Sequence, residues 1–434
     1  MADTPREFRT DSEIIKDDDV LSGDVHDPSG MPERRDELNQ IHNAIEPAVR
    51  NSNPKNLFLY GKPGQGKTAG VKVKTQQFEE FADREGFTVT ITYIECSTNS
   101  SSYHVLTTAL QKLKDLDEKP KGLTVDQLYT DLFRYMNEHG GTFIYILDEI
   151  DKIQDDGEDE LNILYKLPRA HSSEALDDDV RCSVIGISND RRFKVNLSSA
   201  IKDALYENEV DFTPYNKEQL KSILRRRAAN GLKDTEVTET QDGMATAIES
   251  TVITEEAIEN CAQHSIRERG SARQAIDILG QAATFAHENH DPKLTSKHLE
   301  LAEKQVNKNY IKQMLEDHTQ GGSAVSEDLL VLCAVLSLEQ QGATPATAAE
   351  IHEVYKEYCQ RFDRDPLVQR RMRDRLQDLY TTGIVSFDAA GDGSIGRPKH
   401  TADLKIPVEE TISILNEEPE FAEFAVLVDH PRSA

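Results

Sequence analysis

Apolar and polar positions alternate along this chain in blocks whose period changes twice. Between about Met31 and Phe212, short apolar, β-branched runs stand at Asn56–Gly61, Thr88–Cys96, Thr142–Glu149 and Cys182–Ser188, separated by stretches of helical spacing. Runs of that length alternating with helices predict stacked βαβ units around a parallel sheet. Beyond Pro214 the strand pattern stops. A 3.6-residue period then predicts helices over Lys217–Asn230, Thr254–Ser265, Ser271–Ala286 and Thr295–Leu315, with Thr254 and Thr295 placed as N-caps. This block reads as a separate all-α domain.

The second change follows His318-Thr-Gln-Gly-Gly-Ser-Ala-Val325, whose small polar residues and paired glycines have the composition of a flexible linker. Helices are predicted over Glu327–Gln341 and Thr347–Phe362, the latter opened by a Thr347-x-x-Glu350 capping box, with a third after Pro366. Two short strands come next, Ile384–Ala390 and Lys399–Ile406, joined by the turn-rich Gly391–Gly396. Three helices and a hairpin are the outline of a winged helix. The first thirty residues carry nine acids and three bases with few large apolar groups, so most should be disordered or extended, order beginning near Met31. The expected organisation is a flexible acidic segment at 1–30, an α/β domain at 31–213, an all-α domain at 214–317, a linker at 318–326 and a winged helix at 327–434. Internal repeats and low-complexity tracts are absent.

Charge sharpens this picture. Asp and Glu number 78 against 50 Lys and Arg, a net charge of −28 over 434 residues, and mean hydropathy is −0.60. No apolar run approaches the roughly 20 residues of a spanning helix. The N-terminal MADTPREFRTDSE lacks both a signal peptide's apolar core and a transit peptide's freedom from acids, so a cytoplasmic protein without membrane association is expected. The acids are spread along the whole chain, as on a solvated surface suited to a high-salt cytoplasm. Five cysteines, tens of residues apart and without a C-x-x-C pair, argue against a zinc site or a disulfide framework.

The chemistry-bearing motifs lie at strand ends. Gly61-Lys-Pro-Gly-Gln-Gly66-Lys67-Thr68 fits G-x-x-x-x-G-K-[ST] between a strand pattern and a helical one, the context that makes the motif a P-loop. Gly64 and Gly66 let backbone N–H groups turn onto phosphate oxygens, Lys67 brings a point charge to the β/γ-phosphates, and Thr68 offers a hydroxyl to Mg²⁺. The strand pattern Phe143–Leu147 ends in Asp148-Glu149. Asp148 is placed to hold Mg²⁺ through its waters and Glu149 to polarise an attacking water. A third strand ends in Asn189, which can orient that water. Arg273, opening a helix of the all-α domain, can reach the γ-phosphate.

Taken together, these segments make the chain resemble the archaeal origin-recognition and cell-division-control (Orc/Cdc) type of AAA+ ATPase. The resemblance runs from about Val20 to the C-terminus. Besides the two motifs above it rests on Leu164–Ala170, Val184–Asp190, Phe212–Ala228, Gly270–Leu279 and the winged-helix pattern with Leu379–Val385. It implies an α/β P-loop AAA+ ATPase domain with a parallel sheet, an all-α lid domain and a C-terminal winged-helix domain. It also implies ATP or ADP with Mg²⁺ as cofactors, double-stranded origin DNA as ligand, a replicative helicase of the MCM type as protein partner, nucleoid association, and a monomer in solution or an assembly on DNA. By resemblance, Gly66, Lys67, Thr68, Ala69 and Gly70 form the phosphate cradle, Asp148 and Glu149 the Walker B pair, Asn189 sensor one and Arg273 sensor two. Tyr215 and Arg227 match positions lining the nucleotide at the hinge between sheet and lid. One departure stands out. Where the family usually carries an arginine finger after sensor one, this chain places Ala200, with Lys202, Arg191 and Arg192 the nearby cations. Slow hydrolysis used as a switch is therefore expected.

Against the acidic background, residues 361–400 carry eight Lys and Arg and six acids, a window of +2, whereas the other 394 residues sum to −30. Within it, Met372, Leu376, Leu379 and Tyr380 form one helical stripe and leave Arg370, Arg371, Arg373 and Arg375 largely on other faces. That fits a recognition helix for the major groove, with Arg397 and Lys399 of the wing reaching phosphates or the minor groove. The resemblance adds a second contact between Tyr93 and Leu123, with Ser97–His104 and Lys112–Lys121 as candidates and His104 standing where relatives often carry arginine. A polyanion and a −28 protein repel, so a flat salt dependence of DNA binding is expected.

Overall fold

The computed structural model describes residues 12–23, 30–153, 162–190, 193, 197–205, 208–268, 270–318, 326–390 and 399–428. The chain divides into two compact units, Met1–Glu300 and Leu301–Ala434.

In the first unit, β1 (Leu57–Tyr60), β2 (Val89–Glu95), β3 (Gly141–Asp148), β4 (Val180–Ser188) and β5 (Glu209–Asp211) form one sheet in the order β2-β3-β4-β1-β5. Every pairing in it is parallel. The predicted runs are its first four strands, and β5 is an edge strand too short to show in the pattern. β3 and β4 read as nearly unbroken apolar runs because both of their faces are covered, the usual state of a central parallel strand. Covering them are α1 (Arg35–Ile45), α2 (Lys67–Glu85), α3 (Ser102–Leu113), α4 (Val125–His139), α5 (Ile163–Lys166) and α6 (Ser199–Leu205). Ile144, Ile146, Ile185 and Ile187 pack toward Leu38, Ile41 and Val71, while Phe143, Tyr145 and Val184 pack toward Leu106, Leu110 and Leu132. Because the strands are parallel, the loops after β1, β3 and β4 all leave the same sheet edge, where ligands of open α/β sheets bind.

The lid helices follow as α7 (Lys217–Gly231), α8 (Glu255–Glu268) and α9 (Ala272–Glu288), and α10 (Ser296–Asp317) begins in the first unit and ends in the second, where Ile311, Met314 and Leu315 join the core. An Asn216/Gln219 capping box opens α7. Strands do not stop at Pro214 as the pattern suggested: β6 (Thr235–Glu239) and β7 (Ala245–Ser250) form an antiparallel hairpin between α7 and α8. A second difference lies at the N-terminus, where order begins before Met31. Ile14, Val20 and Leu21 are buried, Lys16 and Asp17 donate backbone N–H groups to Gly231 O, and Gly23 N donates to Asp277 Oδ1 on α9. Three apolar side chains and backbone bonds to two lid helices hold a segment whose acids point outward.

The second unit is built around α11 (Glu327–Gln340), in which ten consecutive residues, Leu329 to Leu338, are buried. α12 (Ala348–Arg361) opens with the predicted Thr347/Glu350 capping box. α13 (Gln369–Thr382) is followed by β9 (Val385–Ala390) and β10 (Lys399–Leu404), which pair antiparallel, and β8 (Ala346–Thr347) adds a third strand on β10. α14 (Val408–Glu417) and α15 (Ala422–Val428), with the 3-10 turn Pro419–Phe421 between them, close the unit and send Ile414, Phe421 and Phe424 into the α11 core. Among the described residues, no helix is long and apolar enough to cross a membrane.

Candidate nucleotide site and DNA-facing helix

The loop from β1 to α2 needs backbone conformations that side chains resist. Gly64 and Gly66 have φ of +76° and +86°, in the left-handed region that glycine enters without steric cost. A Cβ on Gly66 would come within 2.6 Å of Tyr215 Oη and 2.7 Å of Met31 Cε. The loop thus stays bare because the hinge packs directly on it. Lys67 follows, buried, its Nζ donating to Gly61 O at 2.7 Å, Lys62 O at 3.0 Å and Asn189 Oδ1 at 2.8 Å. Burial lowers its pKa to about 8, against the opposing pull of Asp148, Asp151 and Glu149. Ala69 and Gly70 continue the first turn of α2, and Gly70 lets Leu38 and Phe212 approach to 3.3–3.4 Å of where a Cβ would stand.

Sheet register brings the acidic motif alongside. Thr68 Oγ1 donates to Asp148 Oδ2 at 2.7 Å, and Tyr93 Oη, from the neighbouring strand, donates to the same oxygen at 2.8 Å. Glu149 has φ of +56°, a left-handed turn at the strand end. Burial raises its pKa, opposed by a hydrogen bond from Ser97 and reinforced by Asp151 and Asp148. Asn189 Nδ2 donates to Glu149 Oε1 at 3.3 Å, while its own backbone N–H and Ser188 Oγ both donate to Asp151 Oδ1. Asn189 therefore bridges the buried Lys67 ammonium and the Glu149 carboxylate.

Thr68 and Asp148 offer hydroxyl and carboxylate oxygens side by side, the donors Mg²⁺ takes when substrate phosphates and waters complete its octahedron. Among the described residues no cluster of three His, Cys, Asp or Glu forms an all-protein metal cage.

The lid meets this loop at α9. Ala272 N donates to Gly64 O at 3.0 Å, and the Ser271 side chain caps the helix by accepting from Gln274 N. Arg273, in the first turn, is exposed, and its charge depresses Lys67. Tyr215 is buried at the hinge. Arg227 is buried too, and its Nη1 donates to Val20 O at 2.7 Å, so it anchors the N-terminal segment on α7. Ala200 lies in the first turn of α6, and Arg191 and Arg192 fall outside the described residues.

Two residues that the motifs did not point to belong to this site. Tyr93 grips Asp148, and the strand register that puts it there was invisible without the sheet order. Arg34, in a 3-10 turn at Pro32–Arg34, lies 3.7 Å over the Tyr215 ring and donates to Gln65 O and Thr213 O. The Pro32-Glu-Arg-Arg run ahead of an amphipathic helix was the available signal.

In the second unit, α13 buries Met372, Leu376 and Leu379 of the expected stripe and half-buries Tyr380. Arg370 and Arg371 are exposed and Arg373 is half-buried. Arg375 is ion-paired to Asp378 at 3.2 Å and Asp328 at 3.5 Å, so its charge is already engaged. Lys399 opens β10, and Arg397 lies outside the described residues. In the Tyr93–Leu123 stretch of the first unit, Lys112, Lys119 and Lys121 are tied to Tyr93 O, Asn99 Oδ1 and Glu118, and His104 is exposed.

Three family models match this chain: the AAA ATPase domain over residues 31–176, the Cdc6 AAA+ ATPase-type lid domain over 240–304, and the CDC6 C-terminal winged-helix domain over 327–413. ORC1-type DNA replication protein 11 of Haloarcula marismortui is 32% identical over 94% of this chain and 92% of its own length. The chain belongs to the ORC1-type DNA replication protein family. Another relative, ORC1-type DNA replication protein 8 of Halobacterium salinarum, is 34% identical over 87% of this chain and 89% of its own. Among solved structures, the Aeropyrum pernix ORC1 protein in complex with DNA superposes with a TM-score of 0.73 at 26% identity, covering 95% of this family member and 99% of that chain. The P-loop AAA+ domain with its parallel sheet, the lid and the winged helix are thus the architecture expected.

Proposed function

We propose that this protein is an ATP-dependent replication initiator: it binds duplex origin DNA, distorts it locally and helps recruit a replicative helicase of the MCM type. The observation that carries the reading is the continuous hydrogen-bonded path from Lys67 through Asn189 to Glu149, beside a Thr68–Asp148 pair, in a chain of the ORC1-type family. Gly64, Gly66 and Lys67 hold the phosphates of ATP or ADP, and Thr68 and Asp148 hold the metal. Mg²⁺, when bound there, would neutralise phosphate charge. Glu149, its carboxyl pushed up by burial, accepts the proton of the attacking water that Asn189 orients. Arg273 senses the γ-phosphate from the lid, and Tyr215 and Arg227 line the nucleotide at the hinge, Arg227 also holding the N-terminal segment through Val20 O. Ala200 in place of a finger leaves transition-state charge less stabilised, so turnover is slow and ATP serves as a switch.

Arg370, Arg371 and Arg373 contact the major groove, and Arg397 and Lys399 reach phosphates or the minor groove. The relative solved with DNA supports duplex binding. Mapping the chromosome-bound protein genome-wide and comparing its positions with replication start sites tests the proposal. Peaks at one or a few start sites are expected; peaks at promoters alone would refute it.

A further inference from the structure

Glu33 and Arg34, adjacent in the chain, are both buried, 7% and 2% exposed, and neither holds phosphate, metal or water in the site above. Buried ions need compensating partners, so the partners show what each residue fixes. Glu33 turns to the lid. Its backbone O accepts from Gln219 Nε2 at 3.1 Å, its Oε1 from Ser222 Oγ at 2.6 Å, and its Oε2 pairs with Arg226 Nη2 at 2.6 Å. Gln219, Ser222 and Arg226 recur three and four residues apart, so one face of α7 closes on one glutamate. Ser222 Oγ in turn accepts from Ala245 N of the lid hairpin.

Arg34 turns the opposite way. Its Nε donates to Gln65 O at 3.2 Å, its Nη2 to Gln65 Oε1 at 3.4 Å and Thr213 O at 2.6 Å, and its Nη1 to Glu37 Oε1 at 2.7 Å. Its guanidinium covers the Tyr215 ring, whose hydroxyl end limits the space at Gly66. Gln65 is itself fully buried, so the phosphate loop cannot shift there without moving Arg34.

We propose that the Pro32–Arg34 turn is a coupling element between the phosphate loop and the lid, with Glu33 and Arg34 as positioning residues. The backbone state of Gln65–Gly66, set by bound nucleotide, passes through Arg34 to Glu33 and from there to the α7 face, and so fixes where the lid presents Arg273. The inference rests on the ATP-site reading above. Two features favour it over a purely stabilising role. Adjacent residues gripping opposite bodies cannot move independently, and Pro32 at the start of the turn restricts the backbone further. A buried ion pair is also often replaceable by apolar groups without loss of stability, whereas apolar groups lack the directed bonds that transmit a shift.

The test uses the full chain with fluorophores on Glu80→Cys and Glu249→Cys, exposed positions on α2 and the lid hairpin. The five native cysteines are buried and should not label. ATP is expected to change energy transfer between the dyes. In a Glu33→Gln/Arg226→Met variant, ATP should still bind within about threefold of its original affinity, while the amplitude of the change falls to about a fifth. Arg34→Lys keeps the charge but not the fork, and should lose about half the amplitude; it carries the test alone if the double variant does not fold. Full amplitude at unchanged ATP concentration in these variants overturns the proposal. So does an unaltered chain that binds ATP with no change in transfer. An unaltered chain that binds no ATP refutes the site reading, and the proposal with it.

Discussion

Gly64 offers a clean test of how the lid meets the phosphate loop, because a matched control exists in the same unit. Gly64 and Gly86 both adopt left-handed backbone, with φ of +76° and +80°. A Cβ on Gly86 meets nothing within 4 Å, whereas one on Gly64 would overlap the Ser271 hydroxyl and stand 3.0 Å from Ser271 Cβ. Alanine in the left-handed region costs about 1–2 kcal/mol, and the stiffer unfolded chain returns about 0.4–1 kcal/mol. Gly86→Ala should therefore destabilise by about 1 kcal/mol and leave ATP binding unchanged. Gly64→Ala pays the same backbone cost and also drives Ser271 away. That movement costs the helix cap, about 1 kcal/mol, and the Ala272 N to Gly64 O hydrogen bond, about 1 kcal/mol more. The expected total is about 3 kcal/mol, with a lid that no longer seats Arg273 and weaker ATP binding. Urea unfolding gives the stabilities and a fluorescent-nucleotide titration the affinities. Adding Ser271→Gly removes both clashing atoms, so the double-mutant cycle should show favourable coupling. Equal destabilisation by the two alanines, with ATP affinity unchanged in both, would refute this account of the contact.

Glu149→Gln should retain ATP binding while turnover in a phosphate-release assay falls by at least about 100-fold, the usual worth of a general base; unchanged turnover would remove Glu149 from the chemistry. On α13, Arg370→Ala and Arg371→Ala should each weaken duplex binding by about 1–3 kcal/mol if they read guanine and leave the melting temperature alone. Arg375→Ala should do the reverse, costing up to about 1 kcal/mol of stability for its partly exposed ion pairs with little change in affinity. Duplex affinity measured from low to molar KCl should stay nearly flat; a steep loss, as for a basic protein releasing counterions, would overturn the reading of the acidic surface.

The parts of the fold legible in the sequence are those whose signal is local. The P-loop, the Asp148-Glu149 strand end and the Thr347/Glu350 capping box are each written within a few consecutive residues. The β6–β7 hairpin escaped because both faces of Thr235–Glu239 and Ala245–Ser250 are largely polar and exposed, so apolar alternation is weak, although the Asp242-Gly243 pair is a hairpin turn signal. The N-terminal segment escaped because composition averages over Ile14, Val20 and Leu21, which are few but buried. Tyr93, and the contacts of Arg34 beyond its Pro32-Glu-Arg-Arg signal, stayed hidden for another reason: their partners lie 55 and 179 residues away, and only the folded chain brings them together. Arg375 looked like its neighbours in the basic window until Asp328, on a different helix, claimed it.

The apolar interior of α11 has a consequence for biosynthesis. Leu329 to Leu338 form an unbroken run that is covered in part by Phe421, Phe424 and Leu427. A ribosome adding roughly 5–20 residues per second finishes that cover about 4–18 seconds after the run has been made. Through this interval the nascent chain displays an apolar segment that contacts with other chains can bury before its own cover arrives. Production of this protein in a foreign host should accordingly be limited less by the P-loop domain, which precedes the run, than by the waiting time of its last hundred residues, and slowed growth or co-produced holdase chaperones should raise the soluble yield.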